Sequence, residues 1–210
     1  RYGYSFQNLY LINSHNGLKE SGILPIDLPN DYPEIYSYLL PYKEKAEVRA
    51  DKGDNWYNLR NCAYLNEFEN EKLIWAETMR IHKTGDRSFP RFGYDSSGSI
   101  TDKTVFIGVG AHIKYLLGFL NSAIGRWLIM EYVTKLDTGG YMMQKIFLDK
   151  IPIFVPDIIQ EKEITDLVEN ILLKSAKNED TSSYEKEIDE HLFKYYDLTK
   201  EEIELIKAEA

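Results

Sequence analysis

The chain has 210 residues, 43% of them hydrophobic, one cysteine and a formal charge of -9. That length can bury a full core in one domain or one and a half. The lone Cys62 excludes an internal disulfide and makes a reducing, cytoplasmic setting the expectation. The acidic balance would exclude a polyanionic partner only if it were evenly spread. Sixteen acidic and seven basic residues lie beyond Pro156, which leaves eighteen of each in the first 156 residues. A neutral region can still gather its bases on one face.

Arg1 in first place reads as the start of a fragment of a longer polypeptide, and no signal peptide is recognisable. Tyr10-Leu11-Ile12 is expected as a short strand closed by the polar turn Asn13–Gly17. A helix is expected from Asp31, with Asp31 and Glu34 as a capping box and Pro33 in the first turn, interrupted at Pro41. Lys72–Ala76, Arg91–Tyr94 and Thr104–Val109 read as strands, the last two joined as a hairpin through Asp95–Gly98. From Ala111 the spacing of Ile113, Leu116, Leu117, Leu120, Ile124, Trp127 and Leu128 predicts one long core helix. Its most apolar part, Tyr115–Met130, contains Asn121, Ser122 and Arg126 and is shorter than the ~20 residues of a membrane span. Lys145–Val155, with Pro152, reads as an edge or terminal strand.

Beyond Pro156 come amphipathic stripes at Ile164, Leu167, Val168, Ile171 and Leu172, and at Tyr184, Ile188, Leu192 and Tyr195. A last helix opens on the capping box Thr199 and Glu202, with Leu198 and Ile203 placed as a hydrophobic staple. The fold class is therefore α+β: a small mixed or antiparallel sheet with a long core helix, residues 1–156, followed by a helical tail, residues 157–210, expected to pack on that domain or on a missing catalytic domain.

Catalytic signatures are absent from the sequence. His15, His82, His112 and His191 are scattered, so no metal is expected, and Cys62 has no nucleophile signature. Gly108-Val109-Gly110 after a strand opens like a dinucleotide or adenosyl-cofactor loop, but Ile113 stands where the third glycine belongs. A turn before a core helix is the better reading. What remains is three groups of bases and aromatics with loop character. The first is Lys52 with Trp56, Tyr57 and Arg60 of Gly53–Arg60, GDNWYNLR; the second is Arg80, His82, Lys83, Arg87 and Arg91; the third is Tyr141, Gln144 and Lys145 after Gly139-Gly140. Arginine suits phosphate and guanine edges and glutamine suits adenine, whereas basic loops are also commonly plain solvated surface.

The order of several segments carries a resemblance. Tyr38-Leu39-Leu40-Pro41-Tyr42-Lys43-Glu44-Lys45, Arg49, Asp51–Arg60 and Lys72–Glu77 resemble the C-terminal specificity domain of TaqI-like and Eco57I-like (type IIG) restriction-modification enzymes. Tyr115–Ser122, Gly139-Gly140, Leu148-x-Lys150-Ile151-Pro152-Ile153 and Pro156 are also similar to target-recognition domains of type I specificity subunits, and Tyr195–Ile203 resembles the usual end of such enzymes. Ala76 replaces a common proline, and no Asn-Pro-Pro-Tyr/Phe methyltransferase motif is present. The resemblance implies a double-stranded DNA recognition domain without catalytic residues. It would direct a linked N6-adenine methyltransferase, with or without a nuclease, whose own domains would use S-adenosylmethionine and, for cleavage, Mg. Lys52, Asn55, Tyr57, Arg60, Arg80, Lys83, Arg87, Arg91, Tyr141, Gln144 and Lys145 are the expected DNA-contact residues, with Arg80–Arg91 the preferred base-reading segment. The alternatives are a non-catalytic protein-interaction domain with an acidic helical tail, and an adenosyl-cofactor enzyme built on Gly108 and Gly110.

Overall fold

The computed structural model describes residues 1–4, 6–82, 86 and 88–209. It is an α+β protein whose chain divides into two compact units, Phe6–Phe68 and Arg1–Ser5 with Glu69–Ala210. The boundary falls near Phe68 and not at Pro156, and the helices after Pro156 share a unit and a core with the sheet, which is one of the two packings expected for the tail.

In Phe6–Phe68 the regular elements are short: α1 (Leu28–Asp31), α2 (Pro33–Leu39) and α3 (Lys43–Glu47), the last two separated by a single 3-10 turn at Leu40–Tyr42 that contains Pro41. Pro33 opens α2, where its missing amide leaves no intrahelical bond unmade. The expected capping box does not form, because Asp31 is already inside α1 and its carboxylate accepts from the Asp27 amide at 3.1 Å. Tyr10–Ile12 is not a strand: it joins no β-ladder among the described residues, and its side chains are exposed.

In the larger unit, β1 (Lys72–Ala76) lies between β3 (Gly93–Asp95) and β4 (Val105–Val109), antiparallel to both. The expected β3–β4 hairpin is thus opened by β1, which takes the central place. A second ribbon pairs β2 (Thr78–Arg80) with β5 (Gly140–Met142). Trp75 joins the two regions, its indole N–H donating to the Met143 carbonyl at 2.8 Å. The expected Lys145–Val155 strand is instead the one-turn helix α6 (Lys145–Leu148) followed by irregular chain, because Phe147 and Leu148 amides bond back to the Gln144 carbonyl.

The core helix is two helices, α4 (Ile113–Asn121) and α5 (Ala123–Tyr132). Ser122 breaks the pattern: it is extended, and its hydroxyl accepts from the Gly125 amide at 3.0 Å as the cap of α5. Gly125 is needed there, since a Cβ would lie 2.2 Å from the Phe119 carbonyl oxygen. α7 (Ile158–Ser175) opens on a capping box of Asp157 and Gln160, and α8 (Ser182–Tyr195) and α9 (Lys200–Glu209) follow, the latter capped by Thr199 and Glu202 as the sequence indicates. The stripe residues Ile164, Val168, Ile171, Ile188 and Leu192 are fully buried. α7 lies so close to α4 that a Cβ on Gly118 would sit 2.9 Å from methyls of Ile164 and Val168.

Asp189 of α8 provides a second cap for α5, accepting from the Ala123 amide at 2.8 Å. Burial raises its carboxyl from 3.8 to about 6, against the attraction of Arg1 and Lys207 and with the repulsion of Glu185. The folded state therefore holds this proton more tightly than the unfolded chain. The resulting stabilisation is complete below about pH 4 and is lost as pH rises through about 6. Asp189→Asn keeps the acceptor and removes the charge. It should raise stability at pH 7 by up to about 3 kcal/mol, with the difference vanishing towards pH 4. Melting curves of both proteins across that range test this, and a variant less stable than wild type at pH 7 contradicts it.

Candidate nucleic-acid interface

The β2–β5 ribbon brings Arg80 of the second expected group beside Tyr141 of the third. Arg80 lies opposite Gly140, Met79 opposite Tyr141 and Thr78 opposite Met142. Directly opposed residues share a face, so the alternation of the strands sorts the side chains. Met79 and Tyr141 point into the core, where Tyr141 packs on the Phe89 ring at 5.1 Å between centroids. Tyr141 is therefore a core residue and not a surface contact. Arg80 lies on the other face and is exposed. Gly140 leaves room for it there, since a Cβ would stand 3.4 Å from Arg80 Cγ and 2.8 Å from Thr78 Cγ2. Lys135, bridged to the same ribbon opposite Tyr141, is also exposed. Gln144 is half-buried and donates to Glu77 at 3.2 Å, while Lys145 is exposed and paired with Asp149 one turn along α6.

Lys83 and Arg87 lie outside the described residues. Around them, the described ends of the segment are anchored by buried polar groups. Asp86 is 5% exposed; its carboxylate accepts from the Ser88 hydroxyl at 2.6 Å and from the amides of His82 and Ser88 at 3.0 Å. The Ser88 hydroxyl first and the His82 amide next hold this carboxyl well below the usual carboxylate range. Arg91 is committed to the same structure, donating Nη2 to the Arg80 carbonyl at 2.7 Å and Nη1 to Ser88 Oγ at 3.3 Å. It braces the segment instead of facing outward as an unbound reader.

Arg126 completes the anchor. It is 5% exposed on α5, donates Nη1 to the carbonyls of Asp86 at 2.5 Å and Phe89 at 2.9 Å, and lies 5.5 Å from the Phe89 ring centroid. Burial lowers its pKa from the ordinary value, and Asp86 works against that shift. The sequence signal for this role is one arginine inside an otherwise apolar helical stripe. A charge in that position must find acceptors, and the acceptors here are carbonyls of a distant loop.

The first expected group belongs to the other unit. In Gly53–Arg60 the organising residue is Asn58, which sequence reasoning did not select. It is fully buried, donates Nδ2 to the carbonyls of Ser14 and Ile26 at 3.3 and 3.2 Å, and accepts from the Asn55 amide at 3.1 Å. Gly53 must be glycine for this turn to close, because a Cβ would lie 2.6 Å from both Asn58 Cβ and the Leu59 carbonyl oxygen. Lys52 donates to the Glu47 carbonyl at 2.7 Å, and exposed Arg60 stands 3.6 Å from Asp51. Asn55 is exposed; Tyr57 is half-buried, with ring centroids 5.6 Å from Trp56 and 5.8 Å from Tyr36. GDNWYNLR is thus a turn pinned from inside by Asn58, with its aromatics gathered on one side.

Gly108 has a packing role: a Cβ there would lie 3.1 Å from the Trp75 ring. Among the described residues no group of three or more His, Cys, Asp and Glu is placed to hold a metal ion. None of the described helices is long and apolar enough to cross a membrane. No protein-family model matches the chain.

Proposed function

We propose that the larger unit recognises a short double-stranded DNA sequence and directs a linked N6-adenine methyltransferase, with or without a nuclease, to act there. The linked domains would bring S-adenosylmethionine and, for cleavage, Mg. The observation that carries this reading is the ribbon: Arg80, Lys135 and Lys145 are exposed cations around β2 and β5. The chain beneath Arg80 is fixed by Arg91, Asp86 and Arg126. A guanidinium on a rigid backbone suits a guanine edge or a phosphate, and the negative excess of the chain lies elsewhere, in the helices after Pro156. The order of segments that resembles type IIG specificity domains points the same way.

Selection from a random duplex pool with the purified chain should enrich a single short sequence. Arg80→Ala should relax one position of it, by about 1–3 kcal/mol if the contact is bidentate. Lys145→Ala should weaken all sequences alike and lower the salt slope by about 1. Failure to enrich any sequence at low salt, with no salt-dependent duplex binding, refutes the reading. That result would favour a protein-interaction domain, for which Val155, before α7, and Ile158 and Ile159 in its first turn, all largely exposed, would be the contact.

A further inference from the structure

The unit Phe6–Phe68 contains a cleft of about 470 Å³, within the size range of small-molecule sites. Four aromatic residues line it, Tyr10, Tyr42, Trp56 and Tyr57, together with Lys45 and Arg49; the rest of the lining is aliphatic apart from Ser14. Its charge is one-sided: two cations and no acid. The cleft between α8 and α9 provides the contrast, since there Lys186, Lys194 and Lys207 are matched by Asp189, Glu190 and Asp197.

The lining is partly preorganised. Trp56 is held in a ring cluster with Tyr57 and Tyr36, both at 5.6 Å between centroids. Arg49 is fixed by donating Nη2 to the Trp56 and Asn58 carbonyls at 2.8 and 3.2 Å and Nε to the Ala46 carbonyl at 3.3 Å. Lys45 is exposed and has no acidic partner among the described residues. A ligand that satisfies this lining is flat, aromatic and anionic.

We propose that the cleft takes one unpaired nucleotide of single-stranded DNA, its base against the rings and its phosphate towards Lys45 and Arg49. Stacking on aromatics accepts any base, and the cations hold the backbone, so the site would be tolerant of sequence and sensitive to salt. The proposal goes beyond the duplex reading and does not rest on it: the cleft lies in the other unit, and the probe is single-stranded.

The test is fluorescence anisotropy of a fluorescein-labelled single-stranded octadeoxyadenylate with the whole chain, in competition with dAMP. Saturable binding displaced by dAMP is expected. Tyr42→Ala and Lys45→Glu, both at exposed positions, should each weaken it roughly fivefold or more. Lys186→Glu makes the same change in net charge on α8 and should leave it unaltered. Because neither Tyr42 nor Lys45 is buried, loss of fold does not confuse the result, and circular dichroism checks it. Equal loss from Lys45→Glu and Lys186→Glu overturns the proposal, as does binding indifferent to Tyr42→Ala or absent altogether. Binding of a proline-rich decapeptide in place of the oligonucleotide would also overturn it and assign the aromatics to a peptide groove.

Discussion

A chain ending at Pro156 is expected to lose cooperative melting and to precipitate. The helices after Pro156 supply five fully buried side chains, Ile164, Val168, Ile171, Ile188 and Leu192. Each is worth about 1.5–3 kcal/mol when buried, so together they are comparable with the whole stability of an ordinary domain, ~5–15 kcal/mol. They share one core with Leu117 and Phe119 of α4, both fully buried. The end of α8 contributes in another way: the Tyr196 hydroxyl donates to the Pro152 carbonyl at 2.9 Å and accepts from the Phe154 amide at 2.7 Å, holding chain that has no regular structure of its own. Calorimetry and solubility of the truncated and whole chains decide the matter. Gly118→Val offers a milder version, forcing α4 from α7 at a cost of roughly 1–3 kcal/mol. A truncated chain with an unchanged melting transition would show that the sheet and the helices fold separately.

What was legible in the sequence is what is decided locally. The stripes of α7 and α8 and the capping pair Thr199 with Glu202 depend on residues three and four apart, and they form where they are expected. β1 runs over Lys72–Ala76 as its apolar run indicates. The partners of β1 depend on chain that is remote in sequence, so its insertion between β3 and β4 left no local trace. Apolar character alone misled twice: Tyr10–Ile12 joins no β-ladder among the described residues, and Lys145–Val155 begins as a helical turn. Ser122 reads as a polar interruption of one helix until Gly125 and Asp189 show it to be a helix start.

The candidate site divides in the same way. Residue type pointed to Arg80, Lys145 and the aromatics of GDNWYNLR, but whether a tyrosine or arginine faces outward depends on register and on remote acceptors. Register places Tyr141 beside Met79 in the core and Arg80 beside Gly140 on the open face. Arg126 and Asn58, which hold the two regions in shape, carry no motif; only the carbonyls they satisfy reveal them.

Lys72→Met should be the most costly single substitution in the sheet. Lys72 and Asp95 face each other across β1 and β3, pair directly, and are exposed by no more than 2%. Asp95 also accepts from the Tyr4 and Ser97 hydroxyls, each at 2.6 Å, and from the Ser97 and Ser99 amides at 3.1 and 3.0 Å. Burial on its own would push the Asp95 carboxyl up. Lys72 and the Ser97 and Tyr4 hydroxyls outweigh it and hold the carboxyl well below the usual range. In wild type its contribution to stability is therefore present above the ordinary carboxylate pKa and is lost only as pH falls through the depressed value. Removing Lys72 leaves a buried carboxylate without its cation, at about 3–5 kcal/mol. The same change lets Asp95 take up a proton more readily, so the deficit should narrow as pH falls from 7 towards 4. Lys72→Met with Asp95→Asn should recover much of the loss, because no uncompensated charge remains buried. Denaturant unfolding of wild type, both single variants and the double at pH 7 and pH 4.5 measures the coupling. If Lys72→Met costs under about 1 kcal/mol at pH 7, water reaches the pair, and the tie between Tyr4, β1 and β3 through Asp95 is not what holds that edge of the sheet.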